Sequence, residues 1–123
     1  MAKILFIDDD LMALELMGKS ASLLGYSPIL CESGLASLKI IDDNAPDIIF
    51  VDHSLFDIDG MTLIQKIRKK KHPSHVRIVM LSAGHGYCDA EYAIKAGADR
   101  YLQKPLSMDV LSETIQELIR FQS

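Results

Sequence analysis

Four short runs of branched and aromatic residues constrain the fold of this chain more than any other feature. They are Ile4-Leu5-Phe6-Ile7, Ile48-Ile49-Phe50-Val51, Ile78-Val79-Met80-Leu81 and the weaker Tyr101-Leu102-Gln103. Continuous apolar runs of this length mark strands covered on both faces, as in a parallel sheet; a strand with one wet face alternates instead. The spacing predicts strands at Lys3 to Ile7, Ser27 to Cys31, Asp47 to Val51, Val76 to Leu81 and Arg100 to Gln103. Helices are expected over Leu11 to Leu24, Gly34 to Asp43, Gly60 to Lys71, Asp89 to Ala96 and Ser107 to Arg120. Asp59 is a good N-cap for the third helix. Asn44-Ala45-Pro46 stops the second, and Gly25-Tyr26 turns the chain after the first. Five strand–helix units without a repeat or linker make one α/β domain, with right-handed crossovers and helices on both faces of a doubly wound parallel sheet.

Composition narrows the function classes. With 123 residues, 49% of them hydrophobic, the chain is the size of one domain with a real core. No apolar run approaches the ~18–20 residues that span a bilayer. The first strand begins almost at Met1, without a charged-then-apolar leader, so a cytoplasmic location is expected. Cys31 and Cys88 have no metal-type spacing; Cys31 is expected to end the second strand as a small hydrophobe and Cys88 to start a helix. The net charge of −4 argues against nucleic-acid binding. The one basic block, Arg68-Lys69-Lys70-Lys71-His72, falls where a helix should end before Pro73. It is expected to be a solvated C-terminal turn that complements the helix dipole.

The polar residues that stop each run carry the chemistry. The first run stops at Asp8-Asp9-Asp10, the second at Asp52, the third at Ser82 and the last at Lys104-Pro105. Ligands of open α/β sheets sit beyond the carboxyl ends of the strands, so all four stops point into one crevice. Clustered carboxylates repel by about 3 kcal/mol per pair at ~5 Å and an effective dielectric of ~20. An all-oxygen cluster of this kind suits a hard cation, Mg²⁺. Lys104 adds a fixed positive charge. Helix capping accounts for Asp10, but not for Asp52, Ser82 and Lys104 on three other strand ends. Together they describe a Mg²⁺-assisted, phosphoryl-accepting site.

With these residues in place, the chain resembles the receiver domain of two-component response regulators. The matching stretches are Ile4 to Asp10, Pro46 to Asp52, Asp59-Gly60-Met61, Met80-Leu81-Ser82-Ala83, and Gly97-Ala98-Asp99 through Tyr101-Leu102 to Lys104-Pro105-Leu106. The resemblance covers nearly the whole chain, and five motifs in order make it specific. It implies a flavodoxin-like (β/α)5 sheet in the order 2-1-3-4-5. It implies Asp52 as phosphoryl acceptor, Asp8 and Asp9 as the acidic pair for Mg²⁺, and the backbone carbonyl of Ser54 as a further metal ligand. Ser82 and Lys104 are expected to bond the phosphoryl group, and Tyr101 to be the aromatic switch whose ring turns inward when Ser82 is drawn to the phosphate. The implied partners are a histidine kinase or phosphotransfer protein and an unknown output domain or downstream protein, with no membrane or nucleic acid. The domain is expected to catalyse its own phosphorylation and dephosphorylation without turning over a separate substrate.

Several positions depart from the family pattern. Phe56 stands where a proline is common, His53 reads as a loop residue, and Arg100 replaces an acid beside the switch tyrosine, against the dimer built on helix 4, strand 5 and helix 5. The Ser82-Ala83-Gly84-His85-Gly86 loop, with two glycines, is expected to be mobile, and Lys104-Pro105 is expected to be cis. Three rivals fit the residues less well. A haloacid-dehalogenase-type phosphatase wants a second acid where Ser54 stands. A flavodoxin-type FMN carrier would set its phosphate against three acids. A docking module of receiver ancestry would not need the full set of acids, hydroxyl and lysine.

Overall fold

The computed structural model describes residues 2–70, 76–83 and 89–120. Five parallel strands, β1 (Lys3–Ile7), β2 (Ser27–Cys31), β3 (Ile48–Asp52), β4 (Arg77–Ser82) and β5 (Arg100–Gln103), form one sheet in the order β2-β1-β3-β4-β5. The helices are α1 (Leu11–Leu23), α2 (Gly34–Asn44), α3 (Gly60–Lys69), α4 (Asp89–Ala96) and α5 (Met108–Arg120). This is the expected flavodoxin-like (β/α)5 architecture. The expected start of a helix at Cys88, the expected mobility of the Gly84-His85-Gly86 stretch and the Lys71-His72-Pro73 segment fall outside the described residues. Among the described residues no helix is long and apolar enough to cross a membrane.

The period of two along each strand sorts the core into two layers. Leu5, Ile7, Ile49, Val51, Ile78 and Met80 face α2, α3 and α4, where Ile41, Leu63, Ile64, Ile67 and Ala93 meet them. Ile4, Phe6, Ile48, Phe50, Val79 and Leu81 face α1 and α5 against Leu14, Met17, Leu111, Ile115 and Leu118. There the Phe6 and Phe50 rings stack with centroids 5.1 Å apart. Each fully buried side chain of this size contributes roughly 1.5–3 kcal/mol, so the apolar runs fix the sheet and the helices follow it.

Chain turns follow the local chemistry. Asp10 caps α1, its carboxylate accepting from the amides of Met12 at 3.0 Å and Ala13 at 3.3 Å. Asp59 does the same for α3 through Thr62. Asp10→Ala is expected to lower stability by ~1 kcal/mol, the usual cost of a lost N-cap, which a urea melt reads directly. Cys31 ends β2 as a buried small residue, its thiol donating to the Ser33 carbonyl. Burial pushes that thiol's pKa up, so it rests in the neutral form. The Lys104-Pro105 bond is cis, as expected.

Two details differ from the sequence reading. Strands β3 and β4 each begin and end one residue later than expected. Asp52 and Ser82 are therefore the last paired residues of their strands, opposite Leu81 and Gln103 respectively, which holds both more firmly than a loop would. The basic block is not a uniformly solvated turn. α3 ends at Lys69, and the half-buried Arg68 guanidinium donates to the carbonyl of Gly97 at 2.8 Å and to Asp99 at 2.9 Å. Arg68 thereby bolts the end of α3 to the α4–β5 turn, whose Gly97 has φ +123°, a conformation open to glycine. Lys70 pairs with Asp42 at 2.7 Å. The block reads as solvated in sequence because nothing local reveals that the α4–β5 turn lies across it.

Candidate functional site

The site lies at the carboxyl end of the three central strands. Ile7 pairs with Val51 in the β1–β3 register, which sets Asp8 beside Asp52. Asp8 is fully buried, and Asp52 and Ser82 are nearly so. Carboxylate oxygens of Asp8, Asp9 and Asp52 all lie within 4.8 Å of one another. Lys104 reaches across from the end of β5: its Nζ is 2.8 Å from Asp8 Oδ2 and 3.5 Å from Asp52 Oδ2. Its backbone amide donates to the Ser82 carbonyl at 2.7 Å, which seats the lysine against the end of β4. Asp8 also accepts from the Asp10 amide at 2.9 Å, so its two oxygens serve a helix start and an ammonium. The expected set is thus assembled from four strand ends, with Ser54 next in the loop, its amide donating to Asp52 Oδ1 at 3.3 Å.

Electrostatics follow from that packing. Burial, reinforced by the Asp8 charge, pushes the Asp52 carboxyl up to about 6, against the lowering pull of Lys104 and the Ser54 amide. Burial alone would lower the Lys104 ammonium. Its bond to Asp8 and the Asp52 charge outweigh that and hold it above the ordinary lysine value. One ammonium faces three carboxylates, so the pocket keeps a deficit of positive charge. Among the described residues the clustered donors are all carboxylate oxygens, a set that fits a hard divalent cation. His53, half-buried and next to Asp52, donates its backbone amide to Leu81 rather than a side chain to the cluster.

Glycine is required once at the rim. A Cβ at Gly60 would lie 2.7 Å from the Asp52 carbonyl oxygen and 2.9 Å from the His53 Cα, and neither backbone atom can swing away. Gly60→Ala is expected to destabilise the fold by ~1–3 kcal/mol, as overpacking does, and to displace the end of β3. A urea melt together with the amide resonances of Asp52 and His53 checks both parts.

The Tyr101 side chain packs, partly buried, against the core layer that faces α2, α3 and α4. Its hydroxyl is buried and has no hydrogen-bond partner among the described residues. The sequence reading missed Asp57. Its carboxylate leaves the β3–α3 loop to accept from Ser33 Oγ at 2.6 Å and from the amides of Gly34 at 3.1 Å and Leu35 at 3.0 Å. These bonds hold its pKa below the ordinary carboxylate value, Ser33 contributing most. The signal available in sequence was indirect: the first turn of α2 carries no acid of its own.

Known proteins place this geometry. Residues 4–116 match the family described as Response regulator receiver domain. Response regulator MprA of Mycobacterium sp. (strain KMS) is 30% identical over 96% of this chain, which spans about half the length of that relative. Chemotaxis protein CheY1 of Helicobacter pylori is 27% identical, with 95% of this chain and 96% of that protein covered. Among solved structures, a two-component response regulator from Clostridium difficile superimposes with a TM-score of 0.91 at 29% identity, covering 98% of each chain. A family match that runs from β1 into α5 makes this chain a member of the response regulator receiver domain family.

Proposed function

We propose that this domain takes a phosphoryl group onto Asp52 from a histidine kinase or phosphotransfer protein of a two-component system and passes the signal on through its α4–β5–α5 face. The observation that carries the reading is the nearly buried Asp52 carboxylate set between the Asp8–Asp9 pair and the Lys104 ammonium. With a pKa of about 6, Asp52 is mostly ionised at neutral pH and available as a nucleophile. Its oxygen attacks phosphorus as the donor's P–N bond breaks, and an acyl phosphate forms. Lys104 pairs with a phosphoryl oxygen and the Ser82 hydroxyl bonds another, so positioning and charge supply the catalysis. Asp8, Asp9, Asp52 and the Ser54 carbonyl would hold Mg²⁺, which when bound neutralises charge on the transferring group. Exposed Leu11 and Met12 on α1, and the groove of Leu16, Met17 and Leu106 that continues to Lys104, give an apolar seat for the donor beside the acceptor.

Drawing Ser82 toward the phosphate changes the space available to Tyr101, whose hydroxyl gains nothing from its present burial. Half-exposed Tyr92 and Ile94 on α4 lie on the surface that such a change would alter. A phosphate shifts this equilibrium only by its differential affinity for the two arrangements; bonds from Ser82 and Lys104 worth ~1.5–3 kcal/mol each supply it. On this reading the domain works in the cytoplasm beside its kinase and turns over no separate substrate. Incubation with Mg²⁺ and a small phosphodonor, followed by intact mass measurement, tests the reading. A metastable added phosphoryl group is expected; steady release of phosphate without an adduct would favour a phosphatase, and no reaction at all a docking module.

A further inference from the structure

The β3–α3 loop carries Ser54 past the acceptor, and part of its anchorage lies outside the site. At its two ends it is tied by backbone bonds, His53 N to Leu81 O at 2.8 Å and Gly60 N to His53 O at 3.1 Å. Between them the Ser54 amide bonds back to Asp52 at 3.3 Å, and the polar hold on α2 comes through one carboxylate. Asp57 takes three donors of the first turn of α2, the Ser33 hydroxyl and the Gly34 and Leu35 amides. Leu55 and Ile58 pack beside it against the core. The first turn of α2 comes close enough that a Cβ on Gly34 would run into the side chain of Ile58 and meet that of Leu55 at 3.0 Å. Phe56, in the same loop, is 95% exposed and contributes no packing. The loop thus rests on α2, an element that holds none of the site residues.

We propose that Asp57 is a positioning residue for the metal and phosphoryl site: by docking the loop on the α2 N-terminus it fixes the Ser54 carbonyl, and so sets Mg²⁺ affinity. This rests on the reading of Asp52 and Ser54 given above. Two orphan amides at a helix start could be satisfied by water at an exposed surface, so capping α2 does not by itself call for an acid three residues beyond Ser54. Groups that orient a metal ligand from outside the coordination sphere are known to set affinity strongly.

Asp57→Ala is expected to weaken Mg²⁺ binding about tenfold, the low end for loss of an outer-sphere partner, in calorimetric titration of the folded protein with MgCl₂. Ser33→Ala supplies the control. It removes the hydroxyl that caps Ala36 and one of the three bonds to Asp57, but leaves the two amide bonds, so it should lower the melting temperature while Mg²⁺ affinity stays within about twofold. If Asp57→Ala fails to fold, Asp57→Asn, which keeps one acceptor oxygen, is titrated instead, and a loss of affinity exceeding that of Ser33→Ala is expected. Wild-type affinity in the Asp57 variant overturns the proposal, as does an equal loss in Ser33→Ala, which would mark a general effect of instability. Absence of Mg²⁺ binding by the wild-type protein overturns the proposal by a different route, since it removes the reading of the site itself.

Discussion

Asp52→Asn is expected to abolish phosphoryl uptake and, in the same protein without metal, to raise stability. The first effect follows from losing the nucleophile while keeping its shape. The second follows from the charge it removes. An acid whose pKa is higher in the folded than in the unfolded chain binds its proton more tightly when folded. Its favourable contribution is complete below the unfolded value and is lost as pH rises through the folded one. With Asp52 at about 6 against an ordinary 3.8, the ionised carboxylate weighs against folding at pH 7 by ~3 kcal/mol. Removing it should recover ~1–3 kcal/mol, the lower figures allowing for an amide that must find its own partners. The difference between variant and wild type should shrink as pH falls from 6 to 4, where wild-type Asp52 regains its proton. Urea melts in EDTA at several pH values read both the sign and the window. A variant less stable than wild type at pH 7 would mean that Asp52 is held by its contacts more than it is repelled by Asp8.

Lys104→Met should act in the opposite direction. The ammonium is the cation closest to Asp8, which is fully buried, and it also faces Asp52. Breaking a buried pair by removing one partner leaves the other charge uncompensated, at a cost of ~3–5 kcal/mol; partial exposure of Lys104 puts the expectation near the lower figure. Because the lysine pKa is raised on folding, its contribution is present in full below the ordinary lysine value and is lost only as pH rises through the folded one. Neutral solutions therefore register all of it. Mg²⁺ should restore more stability to this variant than to wild type, since it supplies the missing positive charge without competition from the ammonium. In an Asp52→Asn background the same substitution should cost less, because one of the facing acids is gone and the two changes share a site. A metal-free Lys104→Met protein as stable as wild type would show that the acids share a proton instead of relying on the lysine.

The sequence carried the parts of this account that depend on short-range pattern. Uninterrupted Ile and Val runs announce strands buried on both faces, and Asp10 and Asp59 announce helix starts, because those signals act within a turn or two of their own position. The cluster of Asp8, Asp9, Asp52, Ser82 and Lys104 was legible for a related reason: in a doubly wound sheet the strand ends converge, so residues at those ends meet whatever the loops do. What escaped depends on which segments cross in space. Arg68 sits in a block of cations that looks solvated, yet the α4–β5 turn folds over it and takes its guanidinium. Asp57 looks like one more loop acid, and only the approach of Gly34 to Leu55 and Ile58 brings α2 within its reach. The one-residue shift of β3 and β4 belongs to the same class, since their last residues are set by pairing with Leu81 and Gln103 and not by local propensity.

The central claim is that one carboxylate, at the end of β3, accepts the phosphoryl group. The most direct test is to treat the wild-type protein with Mg²⁺ and a small phosphodonor, digest it rapidly under acid conditions, and locate the added group by fragment mass. Modification of Asp52 alone, absent when EDTA replaces Mg²⁺, is the predicted result; a phosphoryl group on His53, Ser54 or any residue other than Asp52 would contradict it.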